Sequence, residues 1–376
     1  MSIPCKIAWI SCVGEKGGAE SLMLECIREL DRAEFEPHVI QLRPGPLTAL
    51  IHEAGGIPHV LPQHRMRELH KVTGALRQIR QKIRSEGIRL IHSNGFRAHV
   101  YGGLAARWAG VPEVWTTHTV EDRSWSSRAI LRVPTVKVLA NCPRTETFFR
   151  EAGLPTTLIW PGVNVAALNA RAARAPRARL AAQFGIPPER PWLVMSARLQ
   201  RYKGQLDFLT ALARVPASAR TQAIIIGGSL FGAESDYERE LKAHASTLGI
   251  RDRVTFTGFV SDDDLAGFLA TAHLVVHPAR HEDFGLSVAE AQALGVPVLA
   301  YAEVGPAAIL RHGETGWLAP VGDLERLAEL LAEILARTGP LKAIGEAGRI
   351  RVQQEFGAAE HARRTMIEYR AALTPP

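Results

Sequence analysis

The stretch HEDFGLSVAEAQALGVPVLA, residues 281–300, shows how this chain is built. An apolar run of strand length at 274–277 precedes it, and a second apolar run at 296–300 closes it. The segment between them, 284–294, is predicted as a helix. A strand, a helix and a second strand in that order predict two parallel strands joined by a crossover helix.

The same stretch contains two carboxylates eight residues apart, Glu282 and Glu290. If the helix forms, Glu282 lies just before its first turn and Glu290 about two turns further in. At 3.6 residues per turn both carboxylates could then face one cleft. Paired carboxylates are typical of glycoside hydrolysis, so acid/base work is one interpretation of this pair.

Strand-like runs alternate with helical patterns along all 376 residues, 46% of which are hydrophobic. The alternation predicts an α/β protein with parallel sheets, and the length suits two domains. A segment rich in Ala, Arg and Pro at 169–188 places the junction near Gly162, giving domains at 1–161 and 162–355. The predicted strands are 6–13, 38–42, 89–92, 114–117, 137–140 and 157–160, then 191–196, 223–227, 253–256, 274–277 and 296–300.

Composition narrows the class of protein. The net charge is +7, and Lys and Arg outnumber Asp and Glu by 21 to 15 through Pro161 but by only 24 to 23 afterwards. The longest apolar runs have strand length, which predicts neither a signal peptide nor a transmembrane helix. We expect a cytoplasmic protein without a nucleic-acid partner. Four cysteines without a CxxC pair are expected to be reduced packing residues: Cys5, Cys12, Cys26 and Cys142.

A basic amphipathic helix is predicted at 65–84. Apolar residues recur there at helical spacing, and Lys and Arg supply much of the remaining face. A solvated crossover helix explains this pattern. The alternative is contact with an anionic membrane surface or with an acidic acceptor, which would place the protein peripherally on the inner face of a membrane.

Residues with distinctive chemistry follow the predicted strands, where open α/β sheets bind ligands. After the first strand, Gly17 and Gly18 open a helix whose N-terminus favours an anion, although glycines there can also simply make the turn. This loop has neither the GxGxxG nor the Walker lysine spacing, which argues against a dehydrogenase or a P-loop enzyme. His118 directly follows another strand, and a site role and a structural role are equally expected for it.

The second domain places two cations after its first strand. Arg198 and Lys203 are predicted to converge on a phosphate-bearing ligand, with arginine acting as a fork and lysine as a point charge. The alternative is a pair of solvated loop cations. Gly228, after the next strand, offers another place where backbone can approach a ligand closely.

An acidic run at 261–264, Ser-Asp-Asp-Asp, contains a DxD pattern that could hold a divalent metal. Helix capping explains it better, with Ser261 as the N-cap, Asp264 at the third helical position and acidic residues favoured by the helix dipole. We therefore expect no metal site there.

Together these motifs resemble the family 4 glycosyltransferases of the GT-B fold, retaining enzymes that transfer a sugar from a nucleotide-sugar donor. The resemblance spans nearly the whole chain and implies two Rossmann-like parallel-sheet domains facing across a cleft. It also implies a C-terminal helix, at 356–376, that returns to the first domain. The motifs that carry it are GGAE at 17–20, His118, Arg198 with Lys203, Glu282 and Glu290 around FGL at 284–286, and GETGWL at 313–318.

The resemblance implies a role for each charged residue. Arg198 and Lys203 would neutralise the departing diphosphate, so that no metal or other cofactor is required. Glu282 would hold the donor sugar near its reacting carbon, and His118 would face that sugar from the first domain. Glu290 would accept hydrogen bonds from the ribose hydroxyls. Further contacts with the donor are implied for Gly17, Gly18, Gly228, Phe256, Gly258, Phe284, Gly285 and Leu286.

The expected activity is therefore retaining transfer of a sugar from a UDP- or GDP-linked donor to a hydroxyl of a cell-envelope glycan or glycolipid. With Glu290 on the ribose, the hydrolase interpretation loses its second carboxylate. A sugar-nucleotide epimerase of the same fold and a non-catalytic nucleotide-sugar-binding subunit are the alternatives. The sequence departs from the common family pattern at Gly305-Pro306, where Gly-Gly is frequent.

Overall fold

The structure is a computed structural model that describes residues 3–61, 69–118, 130–216, 219–229, 236–336 and 341–374. The chain divides into two compact units. Unit 1 comprises Met1–Gly162 and Ala358–Pro376, and unit 2 comprises Val163–Gly357.

Unit 1 is built on a seven-stranded parallel sheet. Its strands are β1 (Cys5–Ser11), β2 (Phe35–Gln41), β3 (Ile57–Val60), β4 (Leu90–Asn94), β5 (Glu113–Thr117), β6 (Lys137–Ala140) and β7 (Thr156–Leu158). They lie in the order β3-β2-β1-β4-β5-β6-β7. The helices of its first segment are α1 (Gly18–Glu29), α2 (Leu47–Glu53), α3 (Leu69–Glu86), α4 (Phe96–Ala109) and α5 (Pro143–Glu151).

Both faces of this sheet are covered. Along β1 successive side chains point to opposite faces, so Ile7 and Trp9 pack into one apolar cluster while Ala8 and Ile10 pack into another. Such strands read as continuous apolar runs, which is why the sequence revealed most of them. Strand β3 was missed because it is a four-residue edge strand that contains Pro58.

Unit 2 repeats this architecture with a six-stranded parallel sheet. Its strands are β8 (Trp192–Ser196), β9 (Gln222–Ile226), β10 (Val254–Gly258), β11 (Leu274–His277), β12 (Val298–Tyr301) and β13 (Trp317–Ala319). Its helices are α6 (Val165–Arg174), α7 (Arg177–Phe184), α8 (Gln205–Ala213), α9 (Tyr237–Thr247), α10 (Asp262–Thr271), α11 (Leu286–Ala293), α12 (Val304–Ile309), α13 (Leu324–Ala336) and α14 (Leu341–Glu355).

The strand order of unit 2, β10-β9-β8-β11-β12-β13, is the Rossmann order and confirms the predicted fold class for this half of the chain. The order reverses between β8 and β11, whose neighbouring carboxyl ends form a topological switch point. Ligands bind at such points in open α/β sheets. The loops after β8 and β11 are therefore the first place to look for a site.

Two of the predicted helices begin later in the structure than expected. Helix α11 begins at Leu286 rather than at residue 284, because Gly285 has a φ of +84°, outside the helical region. The C-terminal helix, α15 (Ala358–Leu373), begins two residues later than predicted and belongs to unit 1. The basic helix is described from Leu69 onward as α3, and positions 65–68 lie outside the described residues.

Two other expectations concern the whole chain. The structure records no disulfide bond at any of the four cysteines. Within the described ranges, no helix combines the length and the apolar character needed to cross a membrane.

Candidate functional site

The turn after β8 presses directly against the end of β11. Its residues Arg201–Lys203 form a short 3-10 turn, and Gly204 follows with a φ of +80°. A Cβ atom at Gly204 would lie 1.9 Å from the backbone oxygen of Pro278, which follows β11. Only glycine allows both the left-handed conformation and this approach, and the approach places Lys203 beside the last residue of β11.

Lys203 and Glu282 form an ion pair at this point. The Lys203 Nζ atom donates to Glu282 Oε2 at 2.7 Å, and the two side chains are only 14% and 15% exposed. His277, the last residue of β11, lies 3.0 Å from the same carboxylate oxygen through Nε2. The hydroxyl of Ser287 is 3.2 Å from the other ring nitrogen of His277. One carboxylate is thus held between two nitrogen donors.

The environment keeps Glu282 ionised. Burial by itself would raise the pKa of its carboxyl group, but the hydrogen bond and charge of His277 and the ammonium group of Lys203 outweigh burial. The resulting pKa of Glu282 is about 2. Glu282 is therefore a carboxylate at neutral pH, which suits an acceptor of hydrogen bonds and does not suit a general acid.

Arg198 lies on the exposed side of the same turn. Its guanidinium donates to the Tyr202 hydroxyl at 3.3 Å, while the Lys203 Nζ atom lies 5.0 Å from the centre of the Tyr202 ring. The backbone oxygen of Arg198 accepts from the buried Gln205 side chain at 2.8 Å, which fixes the start of the loop. The two predicted cations thus flank one tyrosine, and the Arg198 side chain is exposed.

The segment that carries Glu282 is fixed from its other side by α12. The N–H group of Gly305 donates to the Glu282 backbone oxygen at 3.1 Å, and a Cβ atom at Gly305 would lie 2.1 Å from the Phe284 oxygen. Glycine is required there for close packing. His281, just before Glu282, has a φ of +65°, and its N–H group donates to Glu303 at 2.9 Å. A non-glycine residue in this conformation is characteristic of functional loops.

Three residues predicted to contact the donor nucleotide lie at the carboxyl ends of β9 and β10. They are Gly228, Phe256 and Gly258. The N–H group of Leu199 donates to the Gly228 oxygen at 3.2 Å, which joins the loop after β8 to the loop after β9. Gly258 ends β10 with a φ of +68°. The ring of Phe259 is 59% exposed and would lie 2.8 Å from a Cβ atom at Gly228. Phe256 and Gly258 therefore lie at the same sheet edge as Arg198, and the roles of these residues and of Glu290 remain predictions.

The acidic run before α10 serves as a cap. Ser261 Oγ accepts a hydrogen bond from the Asp264 N–H group at 3.1 Å, as predicted. Asp263 forms a two-point ion pair with Arg174, and Asp264 pairs with Arg179. These carboxylates are occupied by arginines, which agrees with the capping interpretation.

In unit 1, His118 lies at the carboxyl end of β5 and lines a pocket with an empty volume of about 300 Å³, including space open to solvent. His118 Nε2 is 2.8 Å from Asn94 Oδ1, and Asn94 Nδ2 donates to the Ala19 oxygen at the start of α1. Asn141 donates to the His118 backbone oxygen at 3.1 Å. Since an amide oxygen only accepts, the proton of the His118 ring lies on Nε2 and its Nδ1 atom is an acceptor.

Burial, with a smaller effect of the neighbouring His361, lowers the pKa of His118 to about 4. His118 is therefore neutral at physiological pH. Among the predicted glycines of this unit, Gly17 has an ordinary φ of −118°, and a Cβ atom at Gly18 would meet nothing within 4 Å. The fold itself does not require glycine at Gly18, so its prediction as a ligand-approach position stands.

Two family models match the chain, and together they cover most of it. The one described as "Glycosyltransferase Family 4" matches residues 16–167, and the one described as "Glycosyl transferases group 1" matches residues 176–351. Each match corresponds to one of the two Rossmann-like units.

The chain belongs to the family 4 glycosyltransferases.

Two proteins with similar sequences are also named as sugar transferases. This glycosyltransferase is 29% identical over 353 residues to a D-inositol 3-phosphate glycosyltransferase of Arthrobacter sp. (strain FB24), covering 88% of this chain and 82% of that one. It is 33% identical over 182 residues to a GDP-mannose-dependent alpha-(1-6)-phosphatidylinositol monomannoside mannosyltransferase of Mycobacterium tuberculosis, covering 46% of each chain.

Solved structures agree with the GT-B fold of this glycosyltransferase. Anabaena Alr3699/HepE in complex with UDP has a TM-score of 0.82 and 25% identity, covering 97% of this chain and all of that one. A glycosyltransferase from Rickettsia africae has a TM-score of 0.85 with 18% identity, covering 99% and 100% of the two chains, and supports the fold alone.

The glycosyltransferase also has site features that sequence reasoning missed. His277 was assigned to a strand without a role, although a histidine that ends an apolar strand at a switch point was a usable signal. Tyr202, in the turn after β8, and Asn94, the last residue of β4, were likewise passed over. Asn94 contacts His118 and Ala19, which are distant in sequence, so only the folded chain revealed these contacts.

Proposed function

We propose that this glycosyltransferase is a retaining enzyme that transfers a sugar from a nucleotide-diphosphate sugar to a hydroxyl group of a glycan or glycolipid. The observation that carries the proposal is the Lys203–Glu282–His277 cluster at the switch point of unit 2. A cation and an ionised acceptor, side by side at that edge, suit a ligand that combines phosphate with hydroxyl groups.

The pairing of Lys203 with Glu282 adds a step to the expected mechanism. In the structure the ammonium group of Lys203 is neutralised by Glu282, and a donor diphosphate would draw Lys203 away from it. The freed carboxylate would then accept hydrogen bonds from the sugar hydroxyls, while Lys203 and Arg198 stabilise the charge that develops on the leaving diphosphate. Cations suffice for this task, so we propose that the transfer needs no metal.

The first N–H groups of α11 would add to the diphosphate site, because a helix start leaves such groups without partners within the helix. Glu290 lies in α11 and is half-buried, and we propose that its carboxylate binds the ribose. His118, neutral in its pocket, is proposed to bind the sugar as a hydrogen-bonding group and not as a cation.

The names of two similar proteins support the proposed class of donor. The mycobacterial relative is GDP-mannose-dependent by name, whereas the Anabaena structure contains UDP. GDP-mannose and UDP both contain a nucleoside diphosphate, so we propose a UDP- or GDP-linked sugar as the donor. The phosphoinositol-related acceptors in the relatives' names support an acceptor with hydroxyl groups on a polar ring.

We also propose that helix α3 contacts an anionic membrane surface. Arg77 and Arg84 are exposed, and Arg80 lies over the ring of Trp108, 4.7 Å from its centre. Trp108 is itself 46% exposed. An exposed tryptophan among arginines suits an anionic lipid surface. Co-sedimentation with anionic vesicles tests it, and equal recovery with neutral vesicles would remove it.

The decisive experiment incubates the protein with a panel of UDP- and GDP-sugars and measures nucleotide release, first alone and then with polar acceptors. We expect slow hydrolysis of one donor and faster release with an acceptor of the right class. Conversion of a donor without any release would indicate an epimerase. Nucleotide binding without turnover of any donor would indicate a non-catalytic subunit.

Single substitutions test the proposed roles of Lys203 and Glu282. Lys203→Ala and Glu282→Ala are expected to abolish transfer nearly completely. Arg201→Ala is the matched control, because Arg201 lies in the same turn but pairs with Glu240 on the surface. Rates like those of the wild type in the Lys203 or Glu282 variant would contradict its role.

A further inference from the structure

Two histidines and two glutamates meet at the β3 edge of the unit 1 sheet, away from the loops described above. His38 lies in the middle of β2 and is 2% exposed, and His59 lies in the edge strand β3. Glu86 is the last residue of α3. Ligand atoms of these three residues all lie within 4.8 Å of one another. We propose that His38, His59 and Glu86 form a binding site for Zn²⁺ or a similar late first-row divalent cation.

The topology explains why these side chains meet. His38 has the same orientation in β2 as Ile40, which packs in the cluster under α3. His59 is the register partner of Ile40 in the parallel pair of β2 and β3. Glu86 follows Ile79 and Ile83 at helical spacing, and both of those isoleucines are buried against the sheet. Two strands and one helix therefore each deliver a ligand to one point.

The atoms are arranged for coordination. His38 Nδ1 lies 2.9 Å from His59 Nε2, and the two rings are nearly parallel, at 7°. Two nitrogen ligands of a tetrahedral zinc ion lie about 3.3 Å apart, given Zn–N bonds of about 2.0–2.1 Å. For coordination the nitrogens must separate by a few tenths of an ångström, and the two rings must turn so that both lone pairs point at one ion; β3 is a short edge strand. Imidazole and carboxylate ligands suit zinc and its neighbours rather than Ca²⁺.

Glu36 orients the buried ligand. His38 Nε2 is 2.8 Å from Glu36 Oε1, and a carboxylate holds the ring proton on that nitrogen. The lone pair of His38 Nδ1 is then directed at the site, where it accepts the proton of His59 Nε2. This carboxylate–histidine arrangement is the usual support of a zinc ligand. For a metal ion to bind at His59 Nε2, the neutral ring would take its other tautomer, with the proton moved from Nε2 to Nδ1, so that the two neutral histidines release no proton.

Lys82 is the competing cation. Its Nζ atom donates to Glu86 at 3.1 Å, and Lys6 lies 3.6 Å from Glu36. Binding of a divalent cation would displace the Lys82 ammonium from Glu86, which needs only a rotation because both side chains are partly exposed. The three protein ligands leave a fourth position for water. A bound ion would link the edge strand β3 and the end of α3 to β2. This proposal does not depend on the proposed sugar transfer.

The test uses the full-length, tag-free protein after treatment with a chelator, titrated with Zn²⁺ in competition with a chromogenic chelator. We expect one tight equivalent in the wild type. His59→Gln and Glu86→Gln should weaken binding at least about 10-fold, and Glu36→Gln about 10-fold through loss of orientation. Lys82→Met should strengthen binding, a result that a purely structural role of the cluster does not produce.

His52→Gln is the matched control, because His52 is an exposed histidine of α2 in the same unit. It should bind zinc like the wild type. Circular dichroism of each variant checks folding, and the thermal midpoint should rise with Zn²⁺ in the wild type but not in His59→Gln. Absence of the tight equivalent in the wild type, or its retention in folded His59→Gln, would overturn the proposal.

Discussion

Replacing Glu282 with Gln removes the negative charge between Lys203 and His277 without changing the size of the side chain. In the folded chain the pKa of Glu282 is about 2, against an ordinary value of 4.5. That difference corresponds to about 3 kcal/mol in favour of the folded carboxylate. The conversion applies because the Glu282 side chain is only 15% exposed.

The sign of the pH dependence follows from the direction of the pKa change. A carboxylate whose pKa is depressed by folding contributes stability above its unfolded pKa, and that contribution is lost as the pH falls toward the folded pKa. We expect Glu282→Gln to lower the free energy of unfolding by about 2–3 kcal/mol at pH 7. Near pH 3 the same difference should shrink to about 1 kcal/mol.

The assay is urea unfolding of both proteins at the two pH values, with an osmolyte added equally to keep the acid samples folded. Glu314→Gln is the control, because Glu314 is 69% exposed in the same unit, and it should change stability by less than about 0.5 kcal/mol. A loss below about 1 kcal/mol at pH 7, or an equal loss at both pH values, would refute the reasoning.

Three further outcomes are expected. Gly204→Ala should lower the free energy of unfolding by about 3 kcal/mol or more in denaturant titrations, because a methyl group there would lie 1.9 Å from a backbone oxygen. Gly249→Ala, with a φ of +68° but nothing within 4 Å, should cost only about 1 kcal/mol, and equal losses would contradict the argument. The ring of His118, whose pKa is about 4, should show no titration in NMR spectra between about pH 5.5 and 8, and a midpoint near its ordinary value would disprove its burial. Asp263→Asn should leave transfer unchanged in the nucleotide-release assay, whereas a large loss that Mn²⁺ restores would revive a metal role for the acidic run.

The sequence by itself determined the fold class and the positions of the candidate residues along the chain. Buried parallel strands read as apolar runs, and residues that follow such runs lie at the carboxyl ends of strands. Arg198, Lys203, Glu282 and His118 were found in this way. The Ser261 cap was predictable for the same reason, since it depends on neighbours three residues apart.

Only the tertiary structure decided which side chains meet. Lys203 and Glu282 are 79 residues apart, and their pairing depends on β8 lying beside β11 and on the contact of Gly204 with Pro278. Periodicity reports which face a residue occupies, but it contains no information on which strands are neighbours. The contact between Lys203 and Glu282, like the meeting of β2, β3 and α3 at one edge, therefore arises from long-range packing.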